Sequence, residues 1–381
     1  MTESPAPPRP PTSSNATKIP QEIISEEEMA LIDAAFVAAQ LPRNPSCIQS
    51  ITRTLLGGTA PDIEDSGRVD WSDWDSRPLK KRNRGIDSFL HRFRRERGLS
   101  VTDIIATEWC EKQMEFFLLF GKPEITNAMK VGRARHVELE QEVTKSEKVP
   151  VKSNEDIWAQ KFLNFIVGAN QLIFDGLTRE LPVVGFVEGI WIIGKIDEIR
   201  LPLTDSERYA TLVDTKTRVH PRLPSEPQRR NGRLQMMCYK YLWDSLVDDK
   251  FPAENLFNYF SVNPHYILSP EIRENTRKSG FASETLNDLV GYFRNSCRRL
   301  PRANNLLILR YESQEDQSLL GEDPFAYDSE WLTDQIKSSV EFWLNKREAR
   351  YTPTEERWKC KFCKYTKVCT VNSTPDASSP S

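Results

Sequence analysis

Two groups of residues have the types and the spacing to do chemistry. In the first, Gly194-Lys195-Ile196-Asp197 is followed downstream by Val213-Asp214-Thr215-Lys216. Hydrolysis of a phosphodiester calls for a divalent ion to polarise the phosphoryl oxygen and acidify a water, and hard ions such as Mg²⁺ take carboxylate ligands. Asp197 and Asp214 lie late in successive strand-like segments, so neighbouring strands can present both acids at one edge. Lys216 is two residues beyond Asp214, and strand alternation puts both side chains on one face. There the ammonium can orient a water or offset phosphate charge. An Asp-x-Lys alone is most often a pair of surface residues. With a Gly-x-x-Asp strand before it and a Gln/Tyr helix after it, the set reads as a metal-dependent nuclease centre.

The flanking helices add to this set. His136 and Glu140 are i,i+4 on the helix upstream and share a face; His136 is a further candidate metal ligand, and Glu140 suits a ligand or a salt bridge. Gln235 and Tyr239 are likewise i,i+4 on the helix after Lys216. Core packing explains Tyr239, but a glutamine beside Leu234 and Met236 is less expected. Arg229, Arg230 and Arg233 crowd the start of that helix, where phosphates are favoured. Further upstream, Arg92, Arg94 and Arg95 belong to a basic stretch that runs from Arg77 to Arg97, interleaved with Phe89, Leu90 and Phe93. Such a strip displaces counterions along a nucleic-acid backbone; the competing readings are a solvated helix face and a nuclear-import signal at Lys80-Lys81-Arg82-Asn83-Arg84.

The second group is Cys360, Cys363 and Cys369, spaced C-x2-C-x5-C just before a polar tail. Three thiolates are an incomplete set, because tetrahedral zinc and iron–sulfur clusters usually take four protein ligands. Cys110, in Trp109-Cys110-Glu111, is the candidate fourth. Spacing does not separate zinc from iron–sulfur, and buried structural thiols are the plain alternative. A shared site would staple the C-terminus to the Cys110 helix and close a very long loop. Cys47 and Cys297 have no partner pattern, and Cys238, inside the Gln235–Tyr239 helix, reads as core.

Elements must position these groups. Residues 1–25, rich in Pro, Ser and Thr, read as a disordered tail; 26–98 read as an N-terminal extension with a helix over Glu26–Gln40, an acidic loop over 41–76, then the basic segment. Ser100-Val101-Thr102-Asp103 has the form of a capping box, which predicts one helix through Phe120. Helices are expected over Ile125–Thr144 and Asn154–Leu177. Val183–Leu201 reads as two strands turning at Glu188-Gly189, and Tyr209–Thr217 as a third. Helix follows at Gln228–Leu246, helix at Glu284–Arg298, strand at Leu306–Tyr311 and helix at Glu330–Arg347, with a second polar tail at 371–381. The 381 residues are 38% hydrophobic and 28% charged, with net charge −3. That describes a globular chain that must meet nucleic acid through a local basic surface. No run approaches the ~18 apolar residues of a membrane span. Seven cysteines at irregular spacing, with no secretory signal ahead of them, suit a reducing compartment.

From about Phe89 to Cys369 these residues resemble the exonuclease V family of the PD-(D/E)XK nuclease superfamily. The resemblance is carried by Leu99 to Ile104, Trp109-Cys110-Glu111, Gly132 to His136, Gly194 to Asp197, Asp214 to Arg218, Gln235 to Tyr239 and Trp358-Lys359-Cys360. The nuclease domains of bacterial recombination helicase–nucleases are similar in the split cysteine pattern and the Q-x-x-x-Y helix. The resemblance implies an α/β fold with a PD-(D/E)XK restriction-endonuclease-like core over 99–370, a mixed central sheet flanked by helices, with helical additions. It implies Mg²⁺-dependent degradation of single-stranded DNA from its ends, in DNA repair or genome maintenance. It makes Asp197, Asp214 and Lys216 the metal and catalytic set, joined by Gln235 and Tyr239, with His136 an auxiliary ligand. Cys110, Cys360, Cys363 and Cys369 become ligands of a [4Fe-4S] cluster. The middle acid, commonly Glu in that family, is Asp214 here, one methylene shorter, which bears on metal spacing and rate.

Two other functions compete: a non-catalytic single-stranded DNA-binding repair scaffold that retains the fold, and a redox-responsive regulator with the cluster as sensor. The complete acid set argues against both. The expected partners are single-stranded DNA and a single-strand-binding protein, with no membrane, and the expected state is a monomer. The basic run at 80–84 points to the nucleus, and relatives of this type also occur in mitochondria.

Overall fold

The computed structural model describes residues 88–95, 97–121, 127–143, 149–202 and 209–370. The expectations for 1–25, the Glu26–Gln40 helix, the 41–76 loop, the Lys80–Arg84 run, Cys47 and the 371–381 tail lie outside the described residues.

The chain enters through a short helix α1 (Phe89–Arg94) and strand β1 (Leu99–Ser100). Helix α2 (Val101–Trp109) starts where the capping signal puts it. Asp103 N donates to Ser100 Oγ at 3.1 Å, and Ser100 N donates to Asp103 Oδ2 at 2.9 Å, so each end satisfies the other's orphan donor. A single helix through Phe120 does not form. The chain breaks at Cys110, which is extended (φ −170°, ψ 113°), and α3 (Glu111–Phe120) begins there. Cys110 Sγ accepts from Gln113 N at 3.4 Å and so caps the new helix. The break turns the sulfur away from the α2 axis.

Helices α4 (Asn127–Val143) and α5 (Asn154–Asp175) match their expected places. A left-handed Gly176 (φ 74°) ends α5, as glycine does without a Cβ penalty. Strand β2 (Leu177–Val187) begins well ahead of the expected Val183, and turns at Glu188 and Gly189 into β3 (Ile190–Arg200). Then come β4 (Thr211–Arg218) and the long α6 (Glu226–Val247). Two short helices that hydrophobic periodicity did not reveal follow, α7 (Ala253–Tyr259) and α8 (Pro270–Lys278), and then the expected α9 (Leu286–Cys297). The expected β5 (Leu306–Ser313) is joined by an unforeseen partner, β6 (Leu319–Ala326). Pro324 and Gly321 mask β6 in the sequence; among the described residues it pairs only with β5, and proline is tolerated on an edge strand. Helix α10 (Ser329–Trp343) and a 3₁₀ helix (Thr354–Phe362) complete the fold.

The strands make one mixed sheet. β3 pairs antiparallel with β2 and β4, and parallel with β1; β4 and β5 are parallel; β6 returns antiparallel to β5. Helix α6 crosses β2 through β5, with α2 and α10 packed along it, while α5 lies on β2 and carries α9. Trp191, Trp243, Trp343, Phe162, Phe165 and Phe293 are fully buried between these layers. At roughly 1.5–3 kcal/mol per large side chain, this core fixes the strands that carry Asp197 and Asp214. Among the described residues no helix is long and apolar enough to cross a membrane.

Candidate active site and cysteine pocket

The β2–β3 register pairs Arg179 with Glu198 and Leu181 with Ile196. Glu180 and Asp197 therefore sit across from each other between those pairs. On the other side, β3 Glu198 pairs with β4 Val213, and the next step along the two strands brings Asp197 toward Asp214. Three carboxylates from three adjacent strands thus converge. Helix α4 brings His136 over them: its Nδ1 lies 3.4 Å from Glu180 Oε1 and 3.5 Å from Asp197 Oδ2. Ligand atoms of His136, Glu180 and Asp197 all lie within 4.8 Å of one another.

Lys216 stands beside them. Its Nζ donates to Asp214 Oδ1 at 3.0 Å and to Gln235 Oε1 at 2.8 Å, and Gln235 Nε2 donates to the Tyr239 hydroxyl at 3.1 Å. Gln235 and Tyr239 are thus a support that aims the ammonium. Asp197 Oδ2 accepts from Thr215 N at 3.3 Å. Asp214 is wholly buried, and its Oδ2, 2.8 Å from Lys216 Nζ, has no aligned hydrogen-bond donor among the described residues.

Like charges this close strain one another. Burial, then the charge of Asp214, raises the Asp197 carboxyl well above the ordinary range. Burial disfavours the His136 imidazolium, but the Glu180 hydrogen bond and the Asp197 charge outweigh it and push the group up to about 9. Burial works against the Glu180 anion too, yet His136 and Lys195 hold its carboxyl below the usual value; Lys195 Nζ is 2.9 Å from Glu180 Oε2. Lys216 is desolvated, but Asp214 and Asp197 keep it charged. Acids that raise one another beside an imidazole make the kind of environment a divalent ion would balance.

Glu180 is the member that strand patterning missed. It has a positive φ of 51°, so it breaks the β2 alternation at the point where it enters the site. Its only signal in the sequence is an acid just ahead of a β-branched run. Glu140, weighed above as a ligand or a salt-bridge partner, lies near this edge. Burial pushes its carboxyl up to about 7, and Lys195 and Glu180 act on it.

Gly194 explains the glycine of the Gly-x-x-Asp strand. A Cβ there would sit 2.7 Å from Tyr239 Cε1 and 3.0 Å from Val101 Cγ2. Gly194→Ala must therefore displace the tyrosine ring or α2. We expect a loss of about 1–3 kcal/mol from overpacking, read as a lower midpoint in urea denaturation, together with slower turnover because Tyr239 no longer supports Gln235.

The four cysteines come together as expected. Cys110, Cys360, Cys363 and Cys369 line one pocket with Trp109, Gln113, Lys359 and Thr366. Burial, then the neighbouring Cys110 and Cys369, raises the Cys360 thiol; Cys363 rises for the same reasons, and Gln113 Nε2 donates to its sulfur at 3.6 Å. Polar links that spacing cannot reveal tie the start of α3 beside the pocket to the segment before the C-terminal cysteines. Arg347 donates to both Glu111 oxygens, at 2.6 and 2.7 Å, and Arg350 N donates to Glu111 Oε2 at 2.8 Å. Cys238 is a core residue, its thiol pushed up to about 12 by burial, and Cys297 is buried as well.

The arginines expected to contact phosphate divide. Arg92 and Arg95 are exposed. Arg94 is not available: its Nε and Nη2 donate to Asp103 at 3.0 and 2.9 Å, and it stacks 5.2 Å over Trp343. Arg230 is held by Glu108 and Glu356, both at 2.7 Å. Arg233 is held by Asp323 and Glu226, and Arg229 lies 3.2 Å from Glu226 and 3.9 Å from Asp323. The cluster at the start of α6 is largely structural, correcting its reading as a row of phosphate ligands, because acids on α2, α6, β6 and the 3₁₀ helix neutralise it.

Mixed sheet, converging acids and a braced lysine give the chain an α/β fold with a candidate hydrolytic site. Its family follows from comparison. A family model described as "Exonuclease V - a 5' deoxyribonuclease" matches residues 88–211, 202–289 and 273–371. Exonuclease V of Danio rerio is 29% identical over 305 residues, which span 77% of this chain and 76% of that protein. The chain belongs to the Exonuclease V family and is a nuclease.

Proposed function

We propose that this protein is a Mg²⁺-dependent exonuclease that hydrolyses single-stranded DNA from free 5′ ends, with a [4Fe-4S] cluster in its cysteine pocket. The observation that carries the nuclease centre is the convergence of Glu180, Asp197 and Asp214 with His136 and Lys216. The family description as a 5′ deoxyribonuclease supports the polarity.

The donor set fits a hard divalent ion. It offers carboxylate oxygens, among them Asp214 Oδ2, which has no aligned hydrogen-bond donor among the described residues, with one imidazole that must shed its proton to join them. Bound there, such an ion would polarise the phosphoryl oxygen and lower the pKa of an attacking water. Lys216, kept protonated and aimed by Gln235, holds a cation against the developing phosphorane charge. Asp214 is wholly buried, which limits competing water at its end of the acid row.

All four cysteines line one pocket, a donor set that suits a four-cysteine iron–sulfur cluster. The Cys360 and Cys363 thiols are raised by burial and then by the neighbouring cysteines, a repulsion that bound iron would relieve.

The test uses 5′-labelled linear single strands, linear duplexes and circular single strands, each with Mg²⁺ and with chelator. We expect linear single strands alone to be degraded, from the 5′ end, and only with Mg²⁺. Cleavage of the circle would contradict an end requirement, and equal rates on duplex would contradict strand selection.

A further inference from the structure

Strand β4 carries one more cation past the site. Arg218 is two residues beyond Lys216 and four beyond Asp214. Strand alternation sets all three side chains on one face, spaced about 6.6–6.8 Å per step. Arg218 is half-buried, and its Nε is buried without a hydrogen-bond partner.

The acids that could neutralise Arg218 are engaged elsewhere. Asp214 is held by Lys216. Glu312, in the register step next to it on β5, is held by Arg135 at 2.9 Å. Asp323 on β6 is held by Arg233. Arg218 makes no ion pair and no side-chain hydrogen bond among the described residues, in contrast to Arg94, Arg230 and Arg233. A half-buried guanidinium with an unsatisfied Nε carries a desolvation cost that an anion would relieve. Immediately beyond it Val219, His220, Pro221 and Arg222 are exposed, so the position opens toward solvent.

We infer that Arg218 forms an anion subsite for a nucleic-acid phosphodiester next to the scissile one, and so sets the register of the strand over Asp214 and Lys216. The inference rests on the nuclease reading above. A guanidinium presents a planar fork to two phosphate oxygens, so its contact is charge-dependent and specific to one linkage. It is formed in the ground state and the transition state alike; loss of it raises KM and leaves kcat.

The test compares the full-length wild type with Arg218→Gln and Arg218→Lys on 5′-labelled single strands in which one linkage at a time is a neutral methylphosphonate. Wild type is expected to show a rise in KM when the linkage adjacent to the cut is neutral. Arg218→Gln is expected to have KM about tenfold higher, kcat within about twofold, a salt slope shallower by about 0.7, and no further response to that neutral linkage. Arg218→Lys, which keeps the charge but loses the fork, is expected to lie between. An unchanged KM, or a methylphosphonate response identical in wild type and Arg218→Gln, overturns the subsite while leaving the nuclease reading intact. A wild type that neither binds nor cuts single strands removes the nuclease reading and the subsite with it. Equal thermal midpoints separate these outcomes from misfolding.

Discussion

Asp197→Asn is expected to slow DNA hydrolysis by about a thousandfold or more while leaving the metal-free protein at least as stable as the wild type. The two halves have one cause. Asp197 is half-buried beside Asp214, and desolvation together with that neighbour raises its carboxyl well above the ordinary range. An acid whose folded-state pKa is raised costs stability when ionised above that pKa, and the cost disappears as pH falls through it. Asparagine keeps an oxygen for Thr215 N, which now donates to Asp197 Oδ2, and removes the like charge. His136 retains Glu180 as its other acid. A residue kept for structure would do the reverse, losing stability and retaining rate. Single-turnover rates on 5′-labelled single strands, with thermal midpoints in chelator at pH 8 and pH 6, read both quantities. Metal-free wild type is expected to gain stability on acidification through that range. His136, raised to about 9, contributes stability that is full below its unfolded value near 6.5 and lost as pH rises through about 9.

The second large effect lies away from the acids. Arg347→Ala strands Glu111, which is 7% exposed, with Arg350 N as its remaining partner in this network. Removing one partner of a buried ion pair costs about 3–5 kcal/mol, so the urea midpoint is expected to fall accordingly. Glu111 begins the helix that Cys110 caps, and Arg347 precedes the segment with the other three cysteines. The variant should therefore also lose the visible absorbance of the proposed cluster faster in chelator than the wild type. Glu111→Gln combined with Arg347→Met should recover part of the midpoint, because no charge is then left unpaired. A single variant with wild-type midpoint and wild-type colour retention would show that this pair does not hold the clamp.

The sequence was most informative where chemistry and local pattern coincide. Asp214 and Lys216 sit in a regular strand, so alternation put them on one face, and β4 bears that out. The Ser100 capping box reads locally and forms as expected. Glu180 was hidden because its contribution depends on a positive φ and on a strand pairing distant in sequence. The Cys110 break was hidden because α2 and α3 together keep a continuous helical pattern, and only the thiol cap interrupts it. Arginines show the limit most clearly. Sequence displays a positive charge but not its partner, so Arg94, Arg230 and Arg233 looked like phosphate ligands although acids hold them. Arg218 entered the sequence reading only as the end of the Asp214-to-Arg218 motif, yet the structure leaves it half-buried and without an acid among the described residues.

The central claim is that Glu180, Asp197 and Asp214 with His136 form one divalent-cation site. Calorimetric titration of Mg²⁺, with Mn²⁺ as a second probe, into wild type, Glu180→Gln and Asp197→Asn tests it without reference to activity. The account predicts a saturable site in the wild type, at least about tenfold weaker binding in Glu180→Gln, and no measurable binding in Asp197→Asn. Equal affinity in all three proteins would contradict it.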